Sequence, residues 1–279
     1  MKKSPIKLAI SYILLILIAV AVIYPTLWIV MSSLKTGNSL FMDSIVPNEV
    51  TTEHYASLFE ESETRQLPYT QWYLNTLKIA ISSMILGTLI QILTAYAISR
   101  FRFTGRKTIM TTVLVLGMFP GFMSMIAIFI LLLQMNLLDT HLALIIVYAA
   151  GAALGMFVAK GFFDTLPKSL EEAARIDGAS HFVTFWRVML PLSKPIIVYV
   201  SLTTFMGAWV DFIFARLILR TRDKWTLAVG LYEMVNSYAS TEFTTFAAGA
   251  VLAAIPVTLL FMFLQRLLVE GLTAGAQKG

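Results

Sequence analysis

The segment Glu171-Glu172-Ala173-Ala174-Arg175-Ile176-Asp177-Gly178-Ala179-Ser180, which runs on to Val188-Met189-Leu190-Pro191, is polar and sits between two long apolar runs. Those runs are Leu142–Phe163 and Pro195–Leu219. The segment reads Glu-Ala-Ala, three residues, Gly, nine residues, an aliphatic residue, one more, then Leu-Pro. Ser169 with Glu172 three residues on has the spacing of a capping box. Glu171 and Glu172 suit the positive end of a helix. Ala173 and Ala174 leave a low surface on which another protein can seat. Gly178 can adopt the left-handed conformation that stops a helix. Ser180 can cap a second short helix, in which Phe182, Phe185, Trp186 and Met189 fall on one apolar face. Pro191 and Pro195 then turn the chain into the next apolar run. Two short helices at a sharp angle are expected, one pinned by its aromatic face and the other displayed.

Outward from this segment the chain is apolar: 58% hydrophobic and 13% charged, with a mean hydropathy of +0.78. A soluble domain is about half apolar and about a quarter charged. Six runs are long enough for a bilayer core that needs ~20 helical residues. They are Leu8–Met31, Tyr73–Ile98, Ile109–Leu133, Leu142–Phe163, Pro195–Leu219 and Phe243–Leu268. An all-α polytopic membrane protein follows, read as a single domain over residues 1–279. Its parts are an anchor helix at 8–31, an acidic outer segment at 35–72, core helices over 73–268, a loop at 164–194 and a tail at 269–279. The first run exceeds the ~7–15 residues of a signal core and is expected to stay as the anchor. Lys and Arg number twelve on the side holding the termini, 99–108 and 164–194, against five on the other. The positive-inside rule then places both termini in the cytoplasm. The net charge of +5 reflects topology rather than a nucleic-acid surface.

Few polar residues lie within the runs. Gln91 and Asp211 are the candidates for a solute pathway, because such groups at depth face a cavity or a partner. The alternative for Asp211 is an interfacial acid paired with Arg216 or Arg220. Glycine and alanine in the fourth and sixth runs read as close helix packing. There is no cysteine, which excludes disulfides and thiolate metal sites, and His54, His141 and His181 lack ligand spacing. No metal site, catalytic constellation or Gly-x-x-x-x-Gly-Lys-Ser/Thr phosphate loop is present. A DNA-reading helix-turn-helix is disfavoured, since the second helix would present Phe, Trp and Met rather than polar groups to bases.

Glu172-Ala173-Ala174, Gly178 and Val188-Met189-Leu190-Pro191 give the chain its resemblance to the binding-protein-dependent transport permeases of ABC importers, over essentially its whole length. Within them it resembles the carbohydrate branch, of the MalG type found in maltose/maltodextrin importers. The stretches that carry this include Met118-Phe119-Pro120, Thr226-Leu227-Ala228-Val229-Gly230 and the tail Gly271–Gly279. The resemblance implies a six-helix type I importer fold and a non-enzymatic transmembrane subunit in a bacterial cell membrane. It implies a second, different permease as partner, two copies of a cytoplasmic ATPase that binds ATP and Mg, and an extracellular sugar-binding protein. Glu171, Glu172, Ala173, Ala174, Asp177, Gly178, Leu190 and Pro191 would form the ATPase-coupling loop. Thr273, Ala274 and Gly275 would reach the ATPase, and Asn236, Ser237 and Tyr238 the binding protein. The cargo would be a maltodextrin-type oligosaccharide, with another sugar, glycerol phosphate or an ion-coupled carrier as the alternatives.

Overall fold

The computed structural model describes residues 5–39, 46–60, 68–151, 153–236 and 242–276; for residues 5, 153–154 and 266–276 it describes the backbone alone. Among the described residues the regular structure is helical, apart from one antiparallel bridge, Lys35 to Val50. In chain order the helices are α1 (Pro5–Ser33), α2 (Glu53–Ser57), α3 (Tyr69–Arg100), α4 (Arg106–Gly117) and α5 (Gly121–Gln134). Next come α6 (His141–Ala150), α7 (Ala153–Thr165), α8 (Ser169–Ile176) and α9 (His181–Thr184). A π-helical turn, Phe185–Met189, carries α9 into α10 (Leu190–Leu192). The last are α11 (Lys194–Val210), α12 (Ile213–Ile218), α13 (Leu227–Asn236) and α14 (Phe243–Ala276). The chain packs as two compact units, residues 1–70 with 230–255, and residues 71–229 with 256–279.

In the first unit α1 is apolar on every side, and none of its most hydrophobic window is buried against protein. A helix hydrophobic all round is stable only in a core or in lipid, so α1 is a lipid-facing anchor. Its end is tied down by polar contacts. Ser33 shares a 2.7 Å hydrogen bond with Tyr55, and the His54 Nε2 lies 2.8 Å from the Lys35 carbonyl. Tyr69 donates to the Gly249 carbonyl at 2.9 Å. A Cβ at Gly249 would lie 2.7 Å from Leu231 Cδ2, so the small residues near Ala247 and Ala248 serve close packing, as the sequence suggested.

In the second unit the third and fifth apolar runs are interrupted, where unbroken spans were expected. The third bends by 105° between α4 and α5. Pro120, at φ −56° and ψ 128°, has no N–H to continue the ladder and pushes Phe119 out of the α region. The fifth stops at Asp211, whose backbone is extended at φ −67° and ψ 126°. Among the described residues four helices are long and apolar enough to cross a membrane, the run from His141 to Thr165 counted as one, and up to six if each sharply bent pair counts as one span. Leu227–Asn236 forms α13, and α14 continues through the expected tail to Ala276.

Asp139 joins the turn after α5 to the turn after α12. Its Oδ1 accepts from the Arg220 and Thr221 amides at 2.9 and 3.0 Å, and its Oδ2 from Thr221 Oγ1 at 2.6 Å. Lys224 Nζ reaches the same oxygen at 3.0 Å. Burial alone would raise the carboxyl pKa, but the hydrogen bonds from Thr221, Arg220 and Lys224 outweigh it and hold the group well below the usual carboxylate range. A depressed folded-state pKa means that the stabilisation is fully present above the unfolded value of about 4 and is lost as the pH falls through the folded value. Asp139→Ala is therefore expected to cost about 2 kcal/mol, seen as a lower melting temperature of the detergent-solubilised protein. The gap to wild type should be constant from neutral pH down to about pH 5 and should shrink below about pH 4.

Candidate functional site

The Glu-Ala-Ala segment folds as two short helices with a tight turn between them. Helix α8 ends in a Schellman arrangement. The Gly178 amide donates to Arg175 at 3.0 Å and the Ala179 amide to Ala174 at 2.9 Å, with Gly178 at φ +84°. Only glycine takes that conformation without strain. Ser180 caps α9, its Oγ accepting from the Val183 amide at 3.3 Å. The expected capping box at Ser169 is absent. The helix starts one residue earlier than that motif requires, with Lys168 already helical, and no side chain caps it.

The aromatic face differs from expectation as well. Phe185 and Met189 are buried, whereas Phe182 is 71% exposed and Trp186 is also on the surface. The π-helical turn changes the angular step per residue, so the four side chains split into a buried pair and a surface pair. Phe182 and Trp186 instead contact each other, with ring centroids 5.9 Å apart. The buried pair bolts α9 to the span ends. Tyr96 of α3 meets Phe185 at 4.7 Å and Phe163 of α7 at 5.5 Å. The chain then turns by 80° into α11. Leu190 is half-buried and Pro191 exposed, so they form the corner rather than the displayed face.

An ion pair not foreseen in the sequence fixes α8. Arg100 Nε lies 2.9 Å from Glu171 Oε1, with the two side chains only 4% and 17% exposed. Arg100 also donates to the Leu166 carbonyl at 2.9 Å. Glu171 thus faces inward, while Glu172, Ala173 and Asp177 are exposed and Ala174 is half-buried. Ile176, 87% exposed, adds an apolar knob beside Ala173. The outer surface of α8 combines small, apolar and acidic groups, suited to a protein groove.

The pathway candidates lie higher in the same unit. Asp211 caps α12, its Oδ2 accepting from the Ala215 amide at 2.8 Å and from Tyr148 Oη at 2.6 Å. Arg216, one of the two partners considered from sequence, stacks over Trp225 at 4.7 Å. Asp211 lines a cavity of about 320 Å³, and Gln91 lines a neighbouring one of about 720 Å³. Asn236 ends α13 and is exposed, while Ser237 and Tyr238 lie outside the described residues. Thr273, Ala274 and Gly275 have helical backbone in α14, and their side chains lie outside the described residues. Among the described residues no group of three or more His, Asp or Glu side chains is placed to hold a metal ion.

Residues 83–273 match the family of binding-protein-dependent transport system inner membrane components. The chain belongs to this family. It is a membrane-embedded component of a bacterial transport system, located in the cell membrane, and a transport subunit rather than an enzyme. It is 44% identical to the galactooligosaccharide transport system permease protein GanQ of Bacillus subtilis, over 98% of this chain and 96% of that one. It is 38% identical to the maltodextrin transport system permease protein MalD of Streptococcus pneumoniae, over 97% and 95%. The maltose/maltodextrin permease protein MalG of Salmonella typhimurium is 36% identical, over 100% and 98%. A crystal structure of a bacterial ABC transporter involved in the import of the acidic polysaccharide alginate superposes with a TM-score of 0.83 at 23% identity, over 95% and 99%. That last likeness establishes the type I importer permease fold.

The buried pair gives this permease a specific test. Removing one partner of a buried ion pair strands the other charge. Arg100→Ala or Glu171→Ala is expected to destabilise the purified permease by roughly 3 kcal/mol, and the double Arg100→Leu, Glu171→Leu change by much less. Thermal unfolding of the three variants in detergent reads this directly; equal losses in all three would contradict it.

Proposed function

We propose that this permease is one of two different transmembrane subunits of an ATP-driven importer for oligosaccharides delivered by an extracellular binding protein. Both termini are cytoplasmic, and two copies of an ATPase, which bind ATP and Mg, dock beneath. The reading is carried by α8, a displayed helix bolted through Arg100, Phe185 and Met189 to the ends of the spans. An ATPase groove that moves α8 would move α3 and α7 with it. Residues Glu172, Ala173, Ala174, Asp177 and Gly178 form that contact, with Glu171 positioning the helix and Leu190 and Pro191 forming the corner. Thr273, Ala274 and Gly275 reach the ATPase interface, and Asn236, Ser237 and Tyr238 meet the binding protein. The solute passes Gln91 and Asp211.

Maltodextrins are the proposed cargo, supported by the relatives of S. pneumoniae and S. typhimurium. The second reading is a galactooligosaccharide, favoured by the 44% identity to the B. subtilis permease. Reconstituting the whole importer in proteoliposomes and measuring ATP-dependent uptake of maltotriose and of a galactooligosaccharide tests both. Glu172→Lys inverts the charge presented to the groove, and Gly178→Asp places a side chain at φ +84°. Each is expected to cut uptake roughly tenfold or more and to weaken recovery of the ATPase with the permease. Normal uptake and normal ATPase recovery would refute the coupling role.

A further inference from the structure

A groove separate from the two cavities lies on the other side of α3. It measures about 310 Å³ and is walled by α3, the π-helical turn, α10 and α11. Successive residues of a helix step round the axis by about 100°, which puts Leu89 and Leu93 about 200° from Gln91. The groove therefore opens on a different face of α3 from the cavity that Gln91 lines. Ile85, Leu89 and Leu93 of α3 and the ring of Trp186 line it and are exposed. From Ile85 to Leu93 it follows α3 for ~12 Å at the helical rise.

The walls of the groove are apolar. Its two hydroxyl groups, on Thr88 and Ser201, share a 3.1 Å hydrogen bond with each other, and the other lining side chains are aliphatic, aromatic or Met. Two cations stand at one end. Lys194 precedes Ile197 by three residues and Ser201 by seven, spacings that stack all three on the groove face of α11. Arg187 lies between Trp186 and Leu190 in the turn that leads into α11. Both cations are exposed, and neither enters an ion pair among the described residues. A Trp ring beside Lys and Arg is the chemistry of a membrane–water boundary, where the ring straddles the two phases and the cations reach the headgroups.

We propose that this groove is a binding site for an anionic phospholipid. One acyl chain fills the groove along α3 and α11, and Lys194 and Arg187 hold the phosphate at its end. A zwitterionic lipid offers the same acyl chain but carries a cation of its own beside the phosphate, so the two basic groups favour the anionic headgroup. The bound lipid bridges α3, the π-helical turn and α11. The site lies on a different face of α3 from the Gln91 cavity and is independent of which sugar the importer carries.

The test uses the permease complex purified from its native membrane and placed in nanodiscs. The bilayer is phosphatidylcholine with a minor share of either phosphatidylglycerol or phosphatidylcholine brominated in the acyl chains. Bromine quenches indole fluorescence on contact, and the difference between wild type and Trp186→Phe isolates the Trp186 signal from every other tryptophan of the complex. Brominated phosphatidylglycerol is expected to quench that signal at a roughly fivefold lower share than brominated phosphatidylcholine, the worth of about one basic group at an anionic headgroup. Lys194→Gln combined with Arg187→Gln is expected to bring the two lipids level while quenching by phosphatidylcholine stays as in wild type, the sign that the groove is still formed. A preference that survives the double change overturns the role given to the two cations. Equal quenching by both lipids in wild type marks ordinary boundary lipid and overturns the site. No quenching by either lipid means that a helix of a partner subunit covers the groove, and overturns it as well.

Discussion

The Arg100–Glu171 ion pair is the contact on which the working part of this molecule depends. It joins the last residue of the longest helix in its unit to the first turn of α8, at 2.9 Å and almost out of solvent. Desolvating two charges is unfavourable unless both are well partnered, and Arg100 also donates to Leu166. Beside it, the rings of Tyr96, Phe163 and Phe185 fill the angle between α3, α7 and α9. The ion pair and these rings together join α8 and the turn after it to α3. Gln91 lies nine residues back along α3 from Arg100, ~13 Å at the helical rise. Gln91 and Arg100 therefore lie on one continuous helix.

The breaks in the apolar runs serve the other end of that helix. In lipid every backbone group must be satisfied within the protein, so an interrupted helix needs local substitutes. Asp211 provides one by capping α12 through the Ala215 amide, and Ser124 supplies another by donating to the Gly121 carbonyl at 2.7 Å. The result is polar surface at depth, formed from residues that a hydropathy average counts as part of an ordinary span.

Much of this was legible in the sequence because it depends on local chemistry. The Schellman turn at Gly178, the Ser180 cap and the lipid-facing α1 all follow from residue type and spacing. What was not legible depends on tertiary geometry. The π-helical turn at Phe185–Met189 leaves no mark in a helical wheel, so Phe182 was assigned to the buried face and is found on the surface. The bend at Pro120 was hidden by the unbroken hydropathy of its run. Arg100 was read as one more cytoplasmic positive charge, because nothing local announces that Glu171, 71 residues later, folds back onto it. Gln91 was singled out for its polarity; its hydrogen bond to Thr204, 113 residues away, emerges only in the folded structure.

Because the chain contains no cysteine, a single introduced thiol can report the central contact without background. The decisive measurement is site-directed crosslinking in native membranes from Ala173→Cys on the exposed face of α8, with Ile16→Cys on the exposed surface of α1 as the control, followed by mass spectrometry of the crosslinked product. The account predicts a crosslink from position 173 to a soluble ATPase subunit and none from position 16. Position 173 left uncrosslinked, or joined only to membrane proteins, would contradict it.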